Sequence, residues 1–164
     1  MSETMSQATE PREMAASRVV AGDVDQIFAR VLPMRLDQLF AHWYGPIPPV
    51  RSTVGPTLWV TLGQQRRVNF AGPGWVTETL TEIVPPHHFS YRLTDVHGPM
   101  RTLIAAVDGS WAFARARAGT EVTWLWRVTP RRYTRLLLPA FAWLWQGYAN
   151  RVLLTLDMLL RERT

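Results

Sequence analysis

One long amphipathic stretch near the C-terminus constrains the fold of this chain more than any other feature. Between Tyr133 and Glu162, apolar side chains recur every three or four residues, which is the period of one helix face. They are Leu138, Phe141, Trp145, Tyr148, Val152, Leu156 and Leu159. Polar residues fall largely on the opposite side, at Gln146, Asn150, Asp157 and Arg161. A helix of about 40–45 Å needs a partner surface for its apolar face, and a sheet can supply one.

Short alternations of apolar and polar residues fill the chain before this helix and predict β-strands. The predicted strands are Glu13–Ala21, Val50–Val54, Arg66–Phe70, Trp75–Val84, His88–Thr94, Met100–Arg115 and Glu121–Thr129. Two short helices are predicted after the first strand, one from Val24 up to Pro33 and one over Leu36–Trp43. Residues Thr57–Leu62 fit either a continued second strand or a loop. Because turns join consecutive strands, we expect an antiparallel sheet.

Length and composition predict one folded domain. With 164 residues, of which 47% are hydrophobic, the chain can bury a substantial core. The polar residues 1–12 are expected to form a disordered tail, and 13–164 a single domain. The tail lacks the apolar centre of a signal peptide, and the apolar run Leu136–Trp145 covers about half a membrane span. We therefore expect a cytoplasmic protein that is a monomer or a homodimer.

The absence of two residue types excludes several kinds of chemistry. Every basic residue is Arg, so lysine cannot act as a Schiff-base former, a phosphate-loop cation or a general base. The chain also has no Cys, which excludes thiol nucleophiles, disulfides and thiolate metal ligands. The sequence contains no dinucleotide fingerprint, and Asp108-Gly109-Ser110-Trp111 lacks the flanking glycines of a nucleophile elbow. We expect no cofactor.

Histidines occur in two places, and neither pattern favours a metal site. His87 and His88 are adjacent on a predicted strand edge, and adjacent strand residues point to opposite faces of a sheet. Asp95 and His97 flank a Gly-Pro turn, which is typical of solvated loop residues. The sequence therefore predicts no metal centre.

Several short motifs occur in an order that resembles a known family. They are Gly45-Pro46-Ile47-Pro48, Arg66-x-Val68, Glu78-x-Leu80-Thr81, Pro85-Pro86-x-x-Phe89-x-Tyr91, Gly98-Pro99, Gly109-x-Trp111-x-Phe113 and Gly119-Thr120-x-Val122-x-Trp124. With the element order, they make residues 15–162 resemble the polyketide cyclase/dehydrase and lipid-transport branch of the SRPBCC proteins, relatives of the birch-pollen allergens and START domains. The resemblance implies an α+β helix-grip fold, in which a curved seven-stranded antiparallel sheet grips the C-terminal helix around a hydrophobic cavity. It implies no single reaction, because cyclases, hydrolases and carriers share this fold.

Aromatic residues are the candidates for binding a ligand in such a cavity. By strand and helix periodicity, most of them face the space between the sheet and the C-terminal helix. They are Trp59, Phe70, Phe89, Tyr91, Trp111, Phe113, Trp124, Trp126, Phe141, Trp145 and Tyr148. Any one of them could simply fill the core, but so many bulky rings rarely pack without gaps, which favours an apolar pocket.

Glu78, Tyr91 and Arg101 are the candidates for catalysis. Glu78 alternates with Val76 and Leu80, whereas the other face of its strand carries only Thr, and the sequence leaves open which face is inside. A buried Glu78 would need a partner such as Arg101 or Arg66. A buried Glu or Tyr can act as a general acid or base on a carbonyl substrate. An internal ion pair or an exposed acid remains the alternative for Glu78.

A basic cluster precedes and begins the C-terminal helix. It comprises Arg127, Arg131, Arg132 and Arg135, with Arg115 and Arg117 nearby. Apolar residues follow it at Leu136, Trp143 and Trp145, a combination suited to weak contact with a membrane surface. A solvated basic face is the alternative. We expect no nucleic-acid partner, because strand alternation places the interleaved aromatic rings inside, where bases cannot stack.

Two hypotheses about function therefore stay open. In the first, the domain binds a hydrophobic small molecule, such as a lipid, a polyketide or another polycyclic or aromatic compound, between sheet and helix. In the second, it is a cyclase, dehydratase or hydrolase that uses general acid–base catalysis in the same cavity. A weaker third hypothesis is a carrier that docks on membranes through the segment Arg131–Trp145.

Overall fold

A computed structural model describes residues 10–162, and in this range it shows one seven-stranded sheet with a long C-terminal helix. The elements in chain order are β1 (Arg12–Val20), α1 (Val24–Val31), α2 (Leu36–Leu39), β2 (Val50–Val54), β3 (Gln65–Phe70), β4 (Trp75–Val84), β5 (His88–His97), β6 (Ile104–Ala116), β7 (Gly119–Pro130) and α3 (Leu138–Glu162). The predicted α+β helix-grip fold is confirmed.

The sheet is antiparallel throughout, with the strand order β1-β7-β6-β5-β4-β3-β2. The two helices α1 and α2 therefore lie in the segment that connects the edge strands β1 and β2. A loop over residues 55–64 joins β2 to β3, and shorter segments join the other strands. Register shifts interrupt the pairing of β2 with β3, of β4 with β5 and of β6 with β7. Such irregularities bend strands and increase their twist, which favours a curved sheet with a concave face.

Local chemistry explains where the short helices begin and end. The Asp23 side chain caps α1 by accepting a hydrogen bond of 3.0 Å from the backbone N–H of Asp25. The helix α2 is shorter than the predicted Leu36–Trp43. The Phe40 carbonyl accepts a hydrogen bond of 2.8 Å from the N–H of Val50. The chain has thus already turned toward β2 at that point.

Other predicted boundaries also shift. A 3-10 turn at Pro99–Thr102 precedes β6, so the strand begins four residues after the predicted Met100. A second 3-10 turn at Arg135–Leu137 delays the start of α3, which was predicted at Tyr133. Residues 57–62 form a loop rather than a strand. The predicted tail, residues 1–12, lies mostly outside the described residues. The strand β1 begins at Arg12, which is the last residue of that predicted tail.

The helix α3 packs its apolar stripe on the sheet, and one acid departs from the predicted polar face. Asp157 is 4% exposed, although the pattern placed it on the solvent side. Its carboxylate accepts hydrogen bonds from Arg161 Nε at 2.9 Å and from Arg18 Nε on β1 at 3.0 Å. The hydrogen bond from Arg161, which has the larger effect, and the one from Arg18 hold the pKa of Asp157 below its usual value. The ion pair with Arg18 therefore fastens α3 to an edge strand.

Candidate ligand-binding cavity

A cavity of about 90 Å³ lies between the concave face of the sheet and the first half of α3. Its walls come from α2, the segment before β2, the strands β2 to β7 and α3. An apolar cavity of about 150 Å³ is known to admit benzene in another protein. The volume here is smaller, so a ring-sized ligand enters only when side chains at the mouth turn outward.

Most of the aromatic residues proposed from the sequence line this cavity. They are Phe70, Tyr91, Trp111, Trp124, Trp126, Phe141, Trp145 and Tyr148. Trp124 lies at the centre of the group: its ring stacks on Trp111, with centroids 5.2 Å apart and an interplanar angle of 10°, and meets Trp145 at 5.1 Å. The strand and helix periodicities thus converge on one space.

Three of the proposed aromatic residues lie elsewhere. Trp59 is buried in the loop between β2 and β3, where the Arg66 guanidinium sits 4.0 Å from its ring centroid. Phe89 and Phe113 pack edge-on against Phe28 of α1, with centroid distances of 6.1 and 5.4 Å. Alternation predicted the correct face for both phenylalanines. Alternation gives no information on position along the strand. Both phenylalanines lie at the end of the sheet that α1 covers, and not beside the cavity.

Sequence reasoning missed further lining residues. Val50, Val68, Val76 and Leu93 share the inward face of their strands and could have been found by the same alternation. Leu36, Phe40, Ile47, Pro48 and Met100 come from α2 and from irregular segments. Leu36 and Phe40 follow the apolar spacing of the predicted second helix, which does not indicate what that face contacts, and no periodic pattern marks the other three residues.

Glu78 lines the cavity and is paired with Arg66. The apolar face of β4 is the inner one, since Val76, Glu78 and Leu80 are all buried. Arg66 lies directly opposite Glu78 on β3, and its Nε donates a hydrogen bond of 2.7 Å to Glu78 Oε2. The two side chains are 9% and 6% exposed. The partner is therefore Arg66 and not Arg101.

Tyr91 places a neutral hydroxyl in the same cavity. Its oxygen accepts hydrogen bonds from Trp124 Nε1 at 2.8 Å and from Trp126 Nε1 at 2.9 Å. Burial is the largest cause that raises the pKa of Tyr91 far above its usual value. Gly109 pairs with Tyr91 across β5 and β6, and a Cβ there would overlap the Tyr91 Cζ. A glycine at this position is what allows the Tyr91 ring to lie across β6.

Trp145 contributes a further polar atom to the cavity wall. Its side chain is 1% exposed, and no described residue accepts a hydrogen bond from its Nε1. A buried donor without a partner is costly, so such an atom in a cavity wall points to an acceptor that enters from outside.

The remaining candidate residues lie away from the cavity. Arg101 is exposed in the 3-10 turn before β6, where its carbonyl accepts a hydrogen bond from Arg131 Nε. His88 Nε2 lies 3.1 Å from Glu82 Oε1, and His97 stacks on Trp75. Across residues 10–162, no three His, Asp or Glu side chains are grouped so that they could hold a metal ion.

Exposed apolar residues surround the start of α3. Tyr133 and Leu136 are each 93% exposed and Trp143 is 81% exposed. Arg131, Arg132 and Arg135 are exposed in the same segment. No helix in the described part of the chain is long and apolar enough to cross a membrane.

Comparison with known proteins agrees with the architecture. The family described as Polyketide cyclase / dehydrase and lipid transport matches residues 11–159. Among solved structures, protein MLL2253 from Mesorhizobium loti superposes with a TM-score of 0.66 at 13% identity, covering 93% of this chain and 99% of that one. The ginseng major latex-like protein 151 from Panax ginseng gives 0.65 at 10% identity, covering 90% and 96%. DynU16, from the dynemicin biosynthetic locus, gives 0.57 at 15% identity, covering 91% and 47%. No curated protein sequence matches the chain.

Proposed function

We propose that this chain, which belongs to the polyketide cyclase/dehydrase and lipid transport family, binds a hydrophobic small molecule between its sheet and α3. One observation carries the proposal: an unfilled space is walled by stacked aromatic rings and contains few polar groups. Pockets of this composition bind apolar ligands, and flat rings favour flat partners. A lipid chain, a polyketide or another aromatic compound fits this chemistry.

The size of the cavity limits how the ligand enters. At about 90 Å³, the space holds less than one aromatic ring with substituents. Phe40, Phe70 and Phe141 line it and are only half-buried. Rotation of these side chains would enlarge the cavity toward solvent, because partly exposed side chains change rotamer easily.

A cavity-filling variant tests the proposal directly. Val76→Phe places a larger side chain in the cavity wall, whereas Val19→Phe makes the same change at a 42% exposed position of β1. Titration with the neutral fluorophore N-phenyl-1-naphthylamine should show saturable binding to wild type and to Val19→Phe. The Val76→Phe variant should bind at least about tenfold more weakly because the added ring occupies the site.

Two controls make that experiment decisive. Circular dichroism must show that both variants are folded, since overpacking a core costs about 1–3 kcal/mol. Extraction of the purified wild-type protein into organic solvent, followed by mass spectrometry, looks independently for a bound compound. The proposal fails if wild type neither carries an extractable ligand nor binds the fluorophore, or if the two variants bind equally.

A reaction in the same cavity is the second candidate function. Glu78 and Tyr91 both line the cavity, so a cyclase, dehydratase or hydrolase would have a carboxylate and a neutral hydroxyl available there. Arg101 does not reach the cavity and is not part of this candidate. Glu78→Gln should abolish conversion of an extracted carbonyl ligand while leaving its binding within a few fold. Equal conversion by the variant would exclude Glu78 as the acid or base.

Contact with an anionic membrane surface is a third candidate. The exposed side chains of Leu136 and Trp143 occur in the same stretch of chain as the exposed Arg131, Arg132 and Arg135, so apolar insertion and charge attraction could act together. Wild type should co-sediment with vesicles that contain phosphatidylserine, and Trp143→Ser should reduce this binding. Met158→Ser, at a 55% exposed position far along α3, is the matched control. Absence of binding to these vesicles would remove this candidate.

A further inference from the structure

Two hydrogen-bond donors of the cavity wall, the O–H of Tyr91 and the indole N–H of Trp145, have no acceptor among residues 10–162. The Tyr91 oxygen accepts from both Trp124 Nε1 and Trp126 Nε1, which occupies its two lone pairs and leaves its own proton uncommitted to either bond. The Nε1 of Trp145 is buried and no described residue accepts its proton. Both side chains line the cavity. Both groups can therefore donate a hydrogen bond to a ligand in the cavity.

The electrostatics of the wall determine which acceptor is suitable. Among the described residues that line the cavity, Glu78 alone carries a formal charge, and its carboxylate accepts a hydrogen bond from the neighbouring Arg66. No cation lines the wall to pair with an anionic ligand, and the carboxylate of Glu78 would repel it. Burying such an unpaired charge in an apolar cavity costs free energy. A neutral oxygen acceptor meets two neutral donors at no such cost.

We propose that Tyr91 and Trp145 form a carbonyl-recognition subsite, so that the ligand is an uncharged, mainly apolar molecule with a ketone, quinone, ester or amide oxygen. This inference rests on the proposed function and narrows it, because it excludes free fatty acids and pure hydrocarbons as preferred ligands. The Tyr91 O–H and the Trp145 Nε1–H donate to the ligand oxygen, while the stacked rings of Trp111 and Trp124 contact its apolar part.

The geometry around Tyr91 keeps its hydroxyl ready for this role. Trp124 and Trp126 project from the same face of β7 two residues apart and hold the hydroxyl from two sides. The raised pKa keeps the hydroxyl protonated, and therefore a donor, throughout the neutral range. An acceptor fixed by two indole groups cannot rotate freely, so the donor direction is set before the ligand arrives.

Three single-ring compounds test the inference on the folded wild-type protein. Acetophenone carries a carbonyl, ethylbenzene has nearly the same shape without it, and benzoate is an anion of similar size. Calorimetric titration should show that acetophenone binds about 3- to 10-fold more tightly than ethylbenzene, as expected for a neutral hydrogen bond in an apolar site. Benzoate should bind more weakly than acetophenone.

The variant Trp145→Phe removes the donor and keeps an aromatic ring. Because the smaller ring enlarges the cavity, the readout is the ratio of acetophenone to ethylbenzene affinity rather than either affinity alone. That ratio should fall in Trp145→Phe toward the smaller preference that the remaining Tyr91 O–H supports. It should stay unchanged in Trp143→Phe, which makes the same change at an 81% exposed position outside the cavity.

Nuclear magnetic resonance gives a readout that does not depend on the stability of a variant. The indole N–H signal of Trp145, identified as the one missing from Trp145→Phe, should move downfield in wild type with acetophenone and not with ethylbenzene. Equal affinities with no such movement, or tighter binding of benzoate, would overturn the inference and leave the proposed function standing. Failure of all three compounds and of N-phenyl-1-naphthylamine to bind would refute the proposed function, and the inference with it.

Discussion

Replacing the buried pair of Arg66 and Glu78 by apolar residues should reveal what the pair is for. The two side chains are 9% and 6% exposed and are joined by a hydrogen bond of 2.7 Å. Removing one partner of such a pair leaves the other charge buried without compensation, which costs about 3–5 kcal/mol. Glu78→Leu alone should therefore lower the free energy of unfolding by about that amount, and so should Arg66→Met.

The double variant Arg66→Met, Glu78→Leu should behave differently. Taking both charges out of water opposes their attraction, so apolar residues of similar volume are often neutral or stabilising by about 1–4 kcal/mol. We expect the double variant to unfold at a free energy within about 1 kcal/mol of wild type or above it. A pair that can be replaced at no cost in stability is available for a role in the cavity, such as orienting a polar ligand.

Chemical denaturation measures these differences. Urea titrations followed by tryptophan fluorescence and by circular dichroism should give coincident two-state transitions, from which the free energy of unfolding is extrapolated. The matched control is the pair of Arg92 and Asp108, which also joins neighbouring strands, at 2.9 Å, but with side chains 48% and 45% exposed. Its disruption should cost no more than about 1 kcal/mol.

Two results would refute this reasoning. A cost below about 1 kcal/mol for Glu78→Leu would mean that the carboxylate is solvated in the folded protein and not buried as described. A double variant that loses as much as the two single variants together would mean that the two charges are not coupled and that each side chain stabilises the fold separately. The pair would then need no ligand to explain its place in the cavity wall.

Two further predictions concern single positions elsewhere in the fold. Gly109→Ala should lower the free energy of unfolding by about 2–4 kcal/mol and shift the Tyr91 ring, because the new Cβ overlaps that ring; an unchanged urea midpoint would contradict the described packing. Asp157→Asn should lower the free energy of unfolding at neutral pH by about 1–3 kcal/mol, since Arg18 and Arg161 lose a charged acceptor. Because the folded pKa of Asp157 is lowered, the ionised carboxylate stabilises the fold above about pH 4, and the difference from wild type should shrink as the pH falls below that value. A difference that is constant between pH 6 and pH 2 would contradict the ion pair.

The sequence predicted the sheet and the long helix because their hydrophobic periods are strong. The alternation of Val122, Trp124, Trp126 and Val128 places four apolar side chains on the inner face of β7. In a small domain the apolar face of the sheet and the apolar face of the helix must pack against each other, so the position of the cavity between them could be predicted. What the pattern could not supply is depth along the strand, which is why Phe89 and Phe113 were grouped with the cavity although they pack on Phe28.

Polar partners were less predictable because they depend on contacts between distant segments. The partner of Glu78 became identifiable only when β3 paired with β4 in a register that sets Arg66 opposite it. Asp157 was assigned to the solvent side because a helical pattern treats every acid as polar, whereas Arg18 lies on a strand far away in sequence. Its spacing of four residues from Arg161 was the single local sign of an ion pair.

The position of the polar atoms in the cavity suggests where ligand preference arises in this fold. Tyr91 is held by Trp124 and Trp126, and Glu78 by Arg66, so both groups are fixed by paired strands before any ligand enters. Trp145 is different, because it belongs to α3 and its donor has no protein partner. Pre-ordered groups bind a ligand without losing side-chain freedom. The sheet therefore contributes a fixed polar pattern, and movement of α3 relative to it would alter the distance between the Tyr91 and Trp145 donors and with it the ligand that fits.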